Sequence, residues 1–349
     1  PQTPNPKPQT PNPKPPNPFK TLNPFFEKRK FPRNIIVANS ELIMGVYLSK
    51  ANTEKISEEG DSAFLRYAAC SMQGWRVNME DDHIADIDTE KEISVFGVFD
   101  GHGGQEVAKF CAKHFVEELK KNPNFASGKY KEALQETFLH MDVMILKDEG
   151  QAELKGLKMD SESGTSYAGC TANVSIVTRS EVICANAGDS RSIVLWEDMT
   201  VSALSKDHKP DQDTEKERIN AAGGFVREGR VNDNLNLTRA IGDFEYKKNE
   251  KLPPERQIIT AFPDVTVTKF EKRPKLLVLG CDGIWETLSG EDICQMLYKK
   301  LSEPDSKIIP ATEKLLDCLV AKDTSGGVGC DNMTAIVVQF KDPLPKGKD

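Results

Sequence analysis

The chain has 349 residues, of which 38% are hydrophobic, and a formal net charge of −8 at pH 7. This acidic balance disfavours nucleic acid as the main partner, because binding to a phosphate backbone requires a basic face. No stretch approaches the ~18 consecutive apolar residues of a membrane-spanning helix, and the eight cysteines form no C-x-x-C pair, which favours buried, reduced thiols in an intracellular protein.

The first 43 residues differ in composition from the rest of the chain. The heptapeptide QTPNPKP occupies residues 2–8 and recurs at residues 9–15. Such frequent prolines remove amide donors and keep the backbone extended. We therefore expect residues 1–43 to form a disordered or polyproline-like, low-complexity extension.

A second feature of the N-terminal region is the run MGVYLS at Met44–Ser49, which fits the N-myristoylation pattern. If translation begins at Met44, Gly45 would be the acylated residue; a chance match of a short motif is the alternative. One acyl chain would give only weak, reversible membrane association. The start of the chain lacks the basic-then-apolar pattern of a secretory signal, so we expect a cytoplasmic protein that is membrane-associated only through Gly45.

Residues 44–63 are predicted to be a linker, residues 64–341 a globular domain, and residues 342–349 a C-terminal tail. Apolar runs typical of strands recur in the domain, namely EISVFGVFD, TANVSIVT, EVICANAG, RSIVLW, KLLVLGCD and MTAIVVQF. Helical periodicity covers QEVAKFCAKHFVEEL and KEALQETFLHMDVMI. Thr214 and Glu217 suggest a capping box before a helix that ends near Gly223. Because many strands follow one another without an intervening helix, an α+β fold with antiparallel sheets is favoured over a doubly wound parallel sheet.

Acidic residues stand beside three of the apolar strands. Asp100 follows VFGVF, Asp282 follows LLVLGC and Asp331 precedes MTAIVV, while a fourth group, Glu80-Asp81-Asp82, lies in a turn-like segment. An aspartate next to a buried strand is costly to desolvate unless something compensates its charge. Each one alone fits a turn or a helix cap. Together they favour a shared site for Mg²⁺ or Mn²⁺, which prefer oxygen ligands.

Two further side chains lie close to this acidic set in sequence. His102 stands between glycines after Asp100, where a proton-transfer role and an ordinary turn histidine are equally compatible with its position. Arg76 precedes the fourth acidic group and suits either phosphate binding or an ion pair with Asp81 or Asp82. The five histidines form no H-x-H or H-E-x-x-H pair, so a zinc site is poorly supported.

These motifs resemble, in order, those of the type 2C, or metal-dependent, serine/threonine protein phosphatases. The resemblance covers roughly residues 64–340 and rests on SMQGWRVNMEDDH, VFDGHGG, SGTSYAGCTANV, NAGDSRSIV, SKDHKPDQDTEKERINAAGG, NLTRAIGDFEYK, FPDVTV, LGCDGIWETLSGEDI and GCDNMTAIVV. It implies a four-layer α/β/β/α sandwich in which helices flank two antiparallel β-sheets, with two divalent cations at one end.

The resemblance also implies roles for individual residues. It implies a metal-binding set of Glu80, Asp81, Asp100, Gly101, Asp189, Asp282 and Asp331. Asp100 would bridge two Mg²⁺ or Mn²⁺ ions, and Asp189 would belong to a weaker third site. Arg76 would bind the phosphate, His102 would protonate the departing serine or threonine oxygen, and Arg239 would contact the substrate.

The predicted function is therefore hydrolysis of phosphoserine and phosphothreonine in proteins by a dimetal-activated water, without a phosphoenzyme. The expected partners are phosphorylated proteins, and the catalytic domain is expected to be monomeric. Two alternatives stay open: a metal-dependent nuclease or phosphodiesterase, which the acidic charge disfavours, and a phosphatase-like scaffold within a larger assembly. The complete acidic set favours an active enzyme.

Overall fold

The computed structural model describes residues 47–158 and 168–341. The predictions for the proline-rich extension, for Gly45 and for the C-terminal tail lie outside these residues. The described strands are β1 Tyr47–Asp61, β2 Leu65–Arg76, β3 Asp82–Asp88, β4 Ile93–Phe99, β5 Gly101–His102, β6 Gly169–Cys170, β7 Ala172–Val177, β8 Glu181–Ala187, β9 Arg191–Trp196, β10 Val201–Ala203, β11 Val226–Arg227, β12 Arg230–Val231, β13 Ile241–Gly242, β14 Asp264–Lys269, β15 Pro274–Gly280 and β16 Met333–Phe340.

The described helices are α1 Glu106–Lys121, α2 Pro123–Ala126, α3 Tyr130–Leu146, α4 Asp148–Leu157, α5 Asp213–Ala221, α6 Asp282–Trp285, α7 Gly290–Leu301 and α8 Ile308–Leu319. Two short 3₁₀ turns occupy Phe244–Tyr246 and Pro254–Arg256. No helix in the described parts of the chain is long and apolar enough to cross a membrane.

Two antiparallel sheets form the centre of the fold. One has the strand order β1-β2-β16-β15-β9-β10, and the other has the order β14-β8-β7-β4-β3. Neighbouring strands in both sheets run antiparallel. The sheets therefore confirm the predicted α+β class and its antiparallel arrangement.

Alternation along the strands divides the buried side chains between two cores. In β4, Phe96 and Val98 pack in one core with side chains of the six-stranded sheet. Val95 and Phe99 belong to a second core, with the apolar side chains of α1 and α3. Helices α7 and α8 bury their apolar faces in the first core. Helices therefore cover the outer face of each sheet, which gives the predicted four layers.

The predicted apolar faces of the first two long helices are confirmed. All the predicted residues are buried, namely Val107, Phe110, Cys111 and Phe115 in α1, and Leu134, Phe138, Met141 and Ile145 in α3. Fully burying each large apolar side chain contributes about 1.5–3 kcal/mol relative to leaving it exposed. Helix packing therefore fixes the outer layer against the five-stranded sheet.

The structure differs from two sequence-based expectations. Within the segment predicted as a linker, β1 forms a ladder with β2. The sequence of β1 is mostly polar, and its Ile56 is 75% exposed. Backbone pairing with β2 defines this strand, and an apolar pattern in the sequence does not reveal it. The predicted capping box is wrong, because α5 begins at Asp213 after Gln212 and has no side-chain cap. The helix does end just before Gly223, whose φ is 94°.

Strand pairing brings the predicted acidic residues to one edge of the sandwich. Gly280 at the end of β15 pairs with Ala335 near the start of β16, so the residues that flank these strands lie close together. Across the sandwich, the first residue of β3, Asp82, pairs with Phe99 at the end of β4. The turn before β3 therefore lies beside the segment that follows β4.

Candidate active site

A cavity of about 320 Å³ lies at this edge of the sandwich. The predicted site residues that line it are Arg76, Glu80, Asp100, Gly101, His102, Asp189, Asp282 and Asp331. They come from segments spread over most of the folded chain. The sandwich thus brings the acidic residues, the arginine and the histidine around one small space.

The acidic side chains form three overlapping groups, within each of which the possible ligand atoms lie within 4.8 Å of one another. The groups are Asp81 with Asp100 and Cys281, Asp100 with Asp189 and Asp282, and Asp282 with Glu286 and Asp331. Asp100 and Asp282 each belong to two groups. A carboxylate shared in this way is suitably placed to bridge two cations.

Burial and like charge act together on these carboxyls. Burial raises the pKa of Asp282 to about 8, and the Asp189 charge is the next contribution. Burial likewise raises the pKa of Asp81 to about 7. The pKa of Asp100 lies well above its ordinary value because of burial and the Asp282 charge. A bound divalent cation would reverse this effect by favouring the ionised carboxylates.

The donor atoms fit a hard divalent cation. Asp81 Oδ2 is buried and has no hydrogen-bond partner among the described residues. Buried carboxylate oxygens are normally hydrogen-bonded, so this atom is available to a ligand. Burial raises the pKa of the Cys281 thiol well above its ordinary value, so this sulfur stays protonated beside Asp81. The remaining donors are carboxylate oxygens, which suit Mg²⁺ or Mn²⁺ better than Zn²⁺.

Asn332 and Gly101 position the turn that carries Glu80. The Asn332 side chain accepts a hydrogen bond from Glu80 N at 2.9 Å and donates to the carbonyls of Gln73 at 2.8 Å and Asn78 at 2.9 Å. A Cβ atom at Gly101 would lie 2.4 Å from the Glu80 carbonyl oxygen, so only glycine fits there. Glu80 lines the cavity, and burial raises its pKa, but its carboxylate belongs to none of the three groups.

Arg76 is held at the cavity by one acidic partner. Its Nη2 donates to Asp331 Oδ2 at 2.6 Å, while 42% of its side chain is exposed. The Arg76 Nε atom is buried without a hydrogen-bond partner in the described parts of the chain. The ion pair that sequence proximity suggested, with Asp81 or Asp82, is thus replaced by one with Asp331. A partly exposed guanidinium at a cavity is suited to bind an anion.

His102 is part of an ion pair rather than a simple turn residue. Its Nε2 lies 2.7 Å from Asp243 Oδ2, and the Asp243 side chain is 2% exposed. Burial lowers the pKa of His102, but the charge and hydrogen bond of Asp243 outweigh burial and raise it above the ordinary value. The protonated ring is therefore favoured beside the cavity.

The structure does not bring Arg239 to the cavity. Its largely buried guanidinium donates to Glu215 Oε1 at 2.6 Å, to Asp264 Oδ1 at 2.8 Å and to the Phe262 carbonyl at 3.1 Å. These bonds leave the predicted substrate contact without geometric support. Arg230 lines the cavity from the same region of the sequence.

Several residues around the site were not identified from the sequence as functional candidates. They are Lys209, which pairs with Asp189, together with Arg230, Asp243, Glu286 and Asn332. Asp243 lies in the IGDF stretch of a recognised motif, but its partner His102 is 141 residues away. Only the tertiary structure connects the two.

The layered sandwich with an acidic cavity at one edge is the architecture that the sequence resemblance implies for a metal-dependent protein phosphatase. The family model described as Protein phosphatase 2C matches residues 65–326, and the chain belongs to this family. Its relatives in Paramecium tetraurelia include "Probable protein phosphatase 2C 3", 50% identical over 301 residues, and "Protein phosphatase 2C 1", 49% identical over 301 residues; each match covers 85% of this chain and 100% of the relative.

Solved structures share the fold. A serine-threonine phosphatase 2C from Toxoplasma gondii is 20% identical, has a TM-score of 0.66, and the match covers 82% of this chain and 99% of that chain. Family membership and the curated relatives identify the chain as a serine/threonine protein phosphatase, a hydrolase of a family that is metal-dependent in general.

Proposed function

We propose that this phosphatase holds two Mg²⁺ or Mn²⁺ ions, with a weaker third, and hydrolyses phosphoserine and phosphothreonine in proteins by direct attack of water. The observation that carries this proposal is the overlap of the three acidic groups at Asp100 and Asp282. Shared carboxylates supply the arrangement that a two-cation centre requires. No cysteine lies at the cavity wall among the described lining residues, which favours a route without a phosphoenzyme.

The ligands would come from the acidic groups and from two further residues at the cavity wall. Asp100 would be a ligand shared by the two principal ions, Asp282 and Asp331 would complete one site with the Gly101 carbonyl, and Glu80 would serve the other site. The weaker third site would use Asp189, and Asp81 would support the centre through its unpaired oxygen. When bound, such cations lower the pKa of a water molecule and neutralise phosphoryl charge.

The chain's own residues would bind the phosphate and handle the proton. Arg76 would donate its unused guanidinium hydrogens to phosphoryl oxygens. A water oxygen forms the new bond to phosphorus and loses a proton to solvent. The bond from phosphorus to the serine or threonine oxygen breaks, its electron pair stays on that oxygen, and His102 donates the proton that completes the alcohol. His102 then regains a proton from solvent.

The proposal extends to partners and location. Phosphorylated proteins are the substrates, nucleic acid is not a partner, and the catalytic domain acts as a monomer in cytoplasmic signalling. The net charge of −8 supports the exclusion of nucleic acid. Acylation of Gly45 would add a weak and reversible membrane association; this residue lies outside the described part of the chain.

The test is hydrolysis of a phosphoserine and a phosphothreonine peptide by the full chain with Mn²⁺, with Mg²⁺ and with excess EDTA. We expect phosphate release with either ion and none with EDTA. A phosphodiester substrate serves as the control for the nuclease-like alternative. Equal hydrolysis in EDTA, a preference for the phosphodiester, or radiolabelled phosphate that stays covalently on the protein would contradict the proposal.

A further inference from the structure

His102 and Asp243 form a hydrogen-bonded pair that joins a buried carboxylate to an imidazole at the cavity wall. The 2.7 Å separation between His102 Nε2 and Asp243 Oδ2 is that of a short, charge-assisted hydrogen bond. Asp243 is almost fully buried, whereas His102 lines the cavity and its side chain remains 24% exposed. The carboxylate thus lies behind the ring, away from solvent, and the ring reaches the space that receives substrate.

The backbone around Asp243 is fixed from outside the site. Asp243 adopts a left-handed conformation with φ 51°, which is uncommon for a non-glycine residue. Its amide donates to the Ala168 carbonyl at 3.2 Å. Helix α3 holds the preceding residue, because Asp142 Oδ1 accepts from Gly242 N at 2.8 Å and Asp142 Oδ2 pairs with Lys247 at 2.6 Å. Packing therefore maintains this strained position.

Gly169 provides a second observation, independent of the hydrogen bond. A Cβ atom at this position would lie 2.5 Å from Asp243 Oδ2 and 2.7 Å from His102 Nε2. Gly169 pairs with His102 in the β5–β6 ladder, so the backbone of β6 passes directly beneath the ion pair. The fold leaves room for the paired arrangement only because this residue has no side chain.

We propose that Asp243 is a positioning residue: it accepts the Nε2 proton of His102, fixes the plane of the ring, and thereby makes Nδ1 the nitrogen that donates to the departing oxygen. This inference rests on the proposed function and adds to it the identity of the donating atom. When the serine or threonine oxygen takes the Nδ1 proton, the ring becomes neutral and keeps its Nε2 hydrogen bond to Asp243. The next proton from solvent restores Nδ1–H.

This role predicts an effect that depends on the leaving group. A serine alkoxide needs a proton as it departs, whereas p-nitrophenolate hardly does. Removing general-acid catalysis therefore slows a phosphopeptide more than p-nitrophenyl phosphate. General acids contribute typically 10²–10⁴-fold, so Asp243→Asn is expected to lower kcat on a phosphoserine peptide at least about 10-fold more than on p-nitrophenyl phosphate.

The experiment measures kcat and KM for both substrates with Mn²⁺ in wild type, Asp243→Asn, His102→Ala and the double variant. We expect the double variant to show the same ratio of the two rates as His102→Ala, because Asp243 acts only through His102. Gly169→Ala should shift the ratio in the same direction without changing any charge, and it decides the outcome if Asp243→Asn does not fold. Glu153→Gln is the matched control, since it removes a different histidine–carboxylate pair, with His114 at 2.9 Å, and should leave the ratio unchanged.

Three results would overturn the inference: equal loss of both rates in Asp243→Asn, an additional ratio change in the double variant over His102→Ala, or no ratio change in Gly169→Ala. Failure of the proposed function has a different signature, because wild type itself would then release no phosphate from either substrate with Mn²⁺. Calorimetric titration of Mn²⁺ into Asp243→Asn tests whether the metal centre is intact. We expect the Mn²⁺ affinity of the variant to match that of wild type, which excludes loss of the metal centre as the cause of a rate change.

Discussion

Glu215 in α5 is a buried acid whose charge is fully compensated by the protein. The side chain is 1% exposed, and it accepts hydrogen bonds at 2.6 Å from Arg218, Arg239 and Thr238. Burial alone would raise its pKa, but the Arg239 hydrogen bond and the charges of both arginines outweigh burial. The result lowers the pKa of Glu215 from 4.5 to about 2.

The difference between the ordinary pKa of Glu215 and its pKa in the folded protein determines how much the ionised group stabilises the fold and how that contribution depends on pH. A carboxyl with a lower pKa in the folded state stabilises the fold fully above its unfolded pKa, and the contribution is lost as pH falls through the folded value. For Glu215 this window runs from about 4.5 down to about 2. Since one pKa unit corresponds to 1.36 kcal/mol, the ionised group contributes about 3 kcal/mol at neutral pH.

The assay is urea unfolding of wild type and Glu215→Gln at pH 7 and at steps down to pH 3. We expect the variant to be less stable by about 3 kcal/mol at pH 7, because two buried arginine contacts lose their charge partner. The gap between the two proteins should stay constant above pH 5 and narrow to less than half by about pH 3.

Asp198 provides the matched control for this experiment. Its pKa is also lowered to about 2, by Lys272 and Thr200, but the group is exposed to solvent. Asp198→Asn should therefore unfold at the same urea concentration as wild type at every pH, because exposed ion pairs contribute little. A Glu215→Gln gap below about 1 kcal/mol, or one that does not change with pH, would refute the reasoning.

Three further predictions concern the acidic centre. Asp100→Ala should lower kcat by at least about 10²–10³-fold, the scale of losing one preorganised electrostatic group, and should weaken Mn²⁺ binding in calorimetric titration. Arg76→Ala should chiefly raise KM for a phosphopeptide, by about 10–100-fold if one charged hydrogen bond worth 1.5–3 kcal/mol is lost; an unchanged KM in steady-state assays would contradict its role in phosphate binding. Burial raises the pKa values of Asp81 and Asp282 from 3.8 to about 7 and about 8. The unfolded chain therefore ionises these groups at a lower pH than the metal-free fold does, and the metal-free fold should lose stability as pH rises towards 8. The increase in Tm on adding Mn²⁺, measured against EDTA, should accordingly be larger at pH 8 than at pH 5.5.

The acidic centre was largely predictable from the sequence because its members adjoin apolar strands. Asp282 and Asp331 flank two runs that had to be strands, and antiparallel neighbours place such ends at one edge. The same logic fails for β1, whose polar residues carry no period-two pattern. It also fails for Asp243, since a long-range ion pair leaves no local signal.

Arginine residues show why chemical type alone does not assign a role. Arg76 and Arg239 both lie in recognised motifs, and both were predicted to contact the substrate. The structure places Glu215 and Asp264 opposite Arg239, which leaves its guanidinium engaged. Opposite Arg76 it places only Asp331, and one donor stays unpaired in the described structure. What decides the role is the number of acceptors that distant segments supply.

The same comparison explains the two opposite pKa shifts of buried acids in this fold. Glu215 is surrounded by Arg218 and Arg239, so the protein itself stabilises its negative charge and the pKa falls. Burial and the Asp282 charge raise the pKa of Asp100, and burial and the Asp189 charge raise that of Asp282. Arg76 and Lys209 pair with Asp331 and Asp189. The pKa values of Asp81, Asp100 and Asp282 are nevertheless raised, so the ionised forms of these three acids are left for a cation to stabilise. Bound cations would favour the fully ionised form of the acidic centre, and metal affinity and catalysis would then depend on the same group of carboxylates.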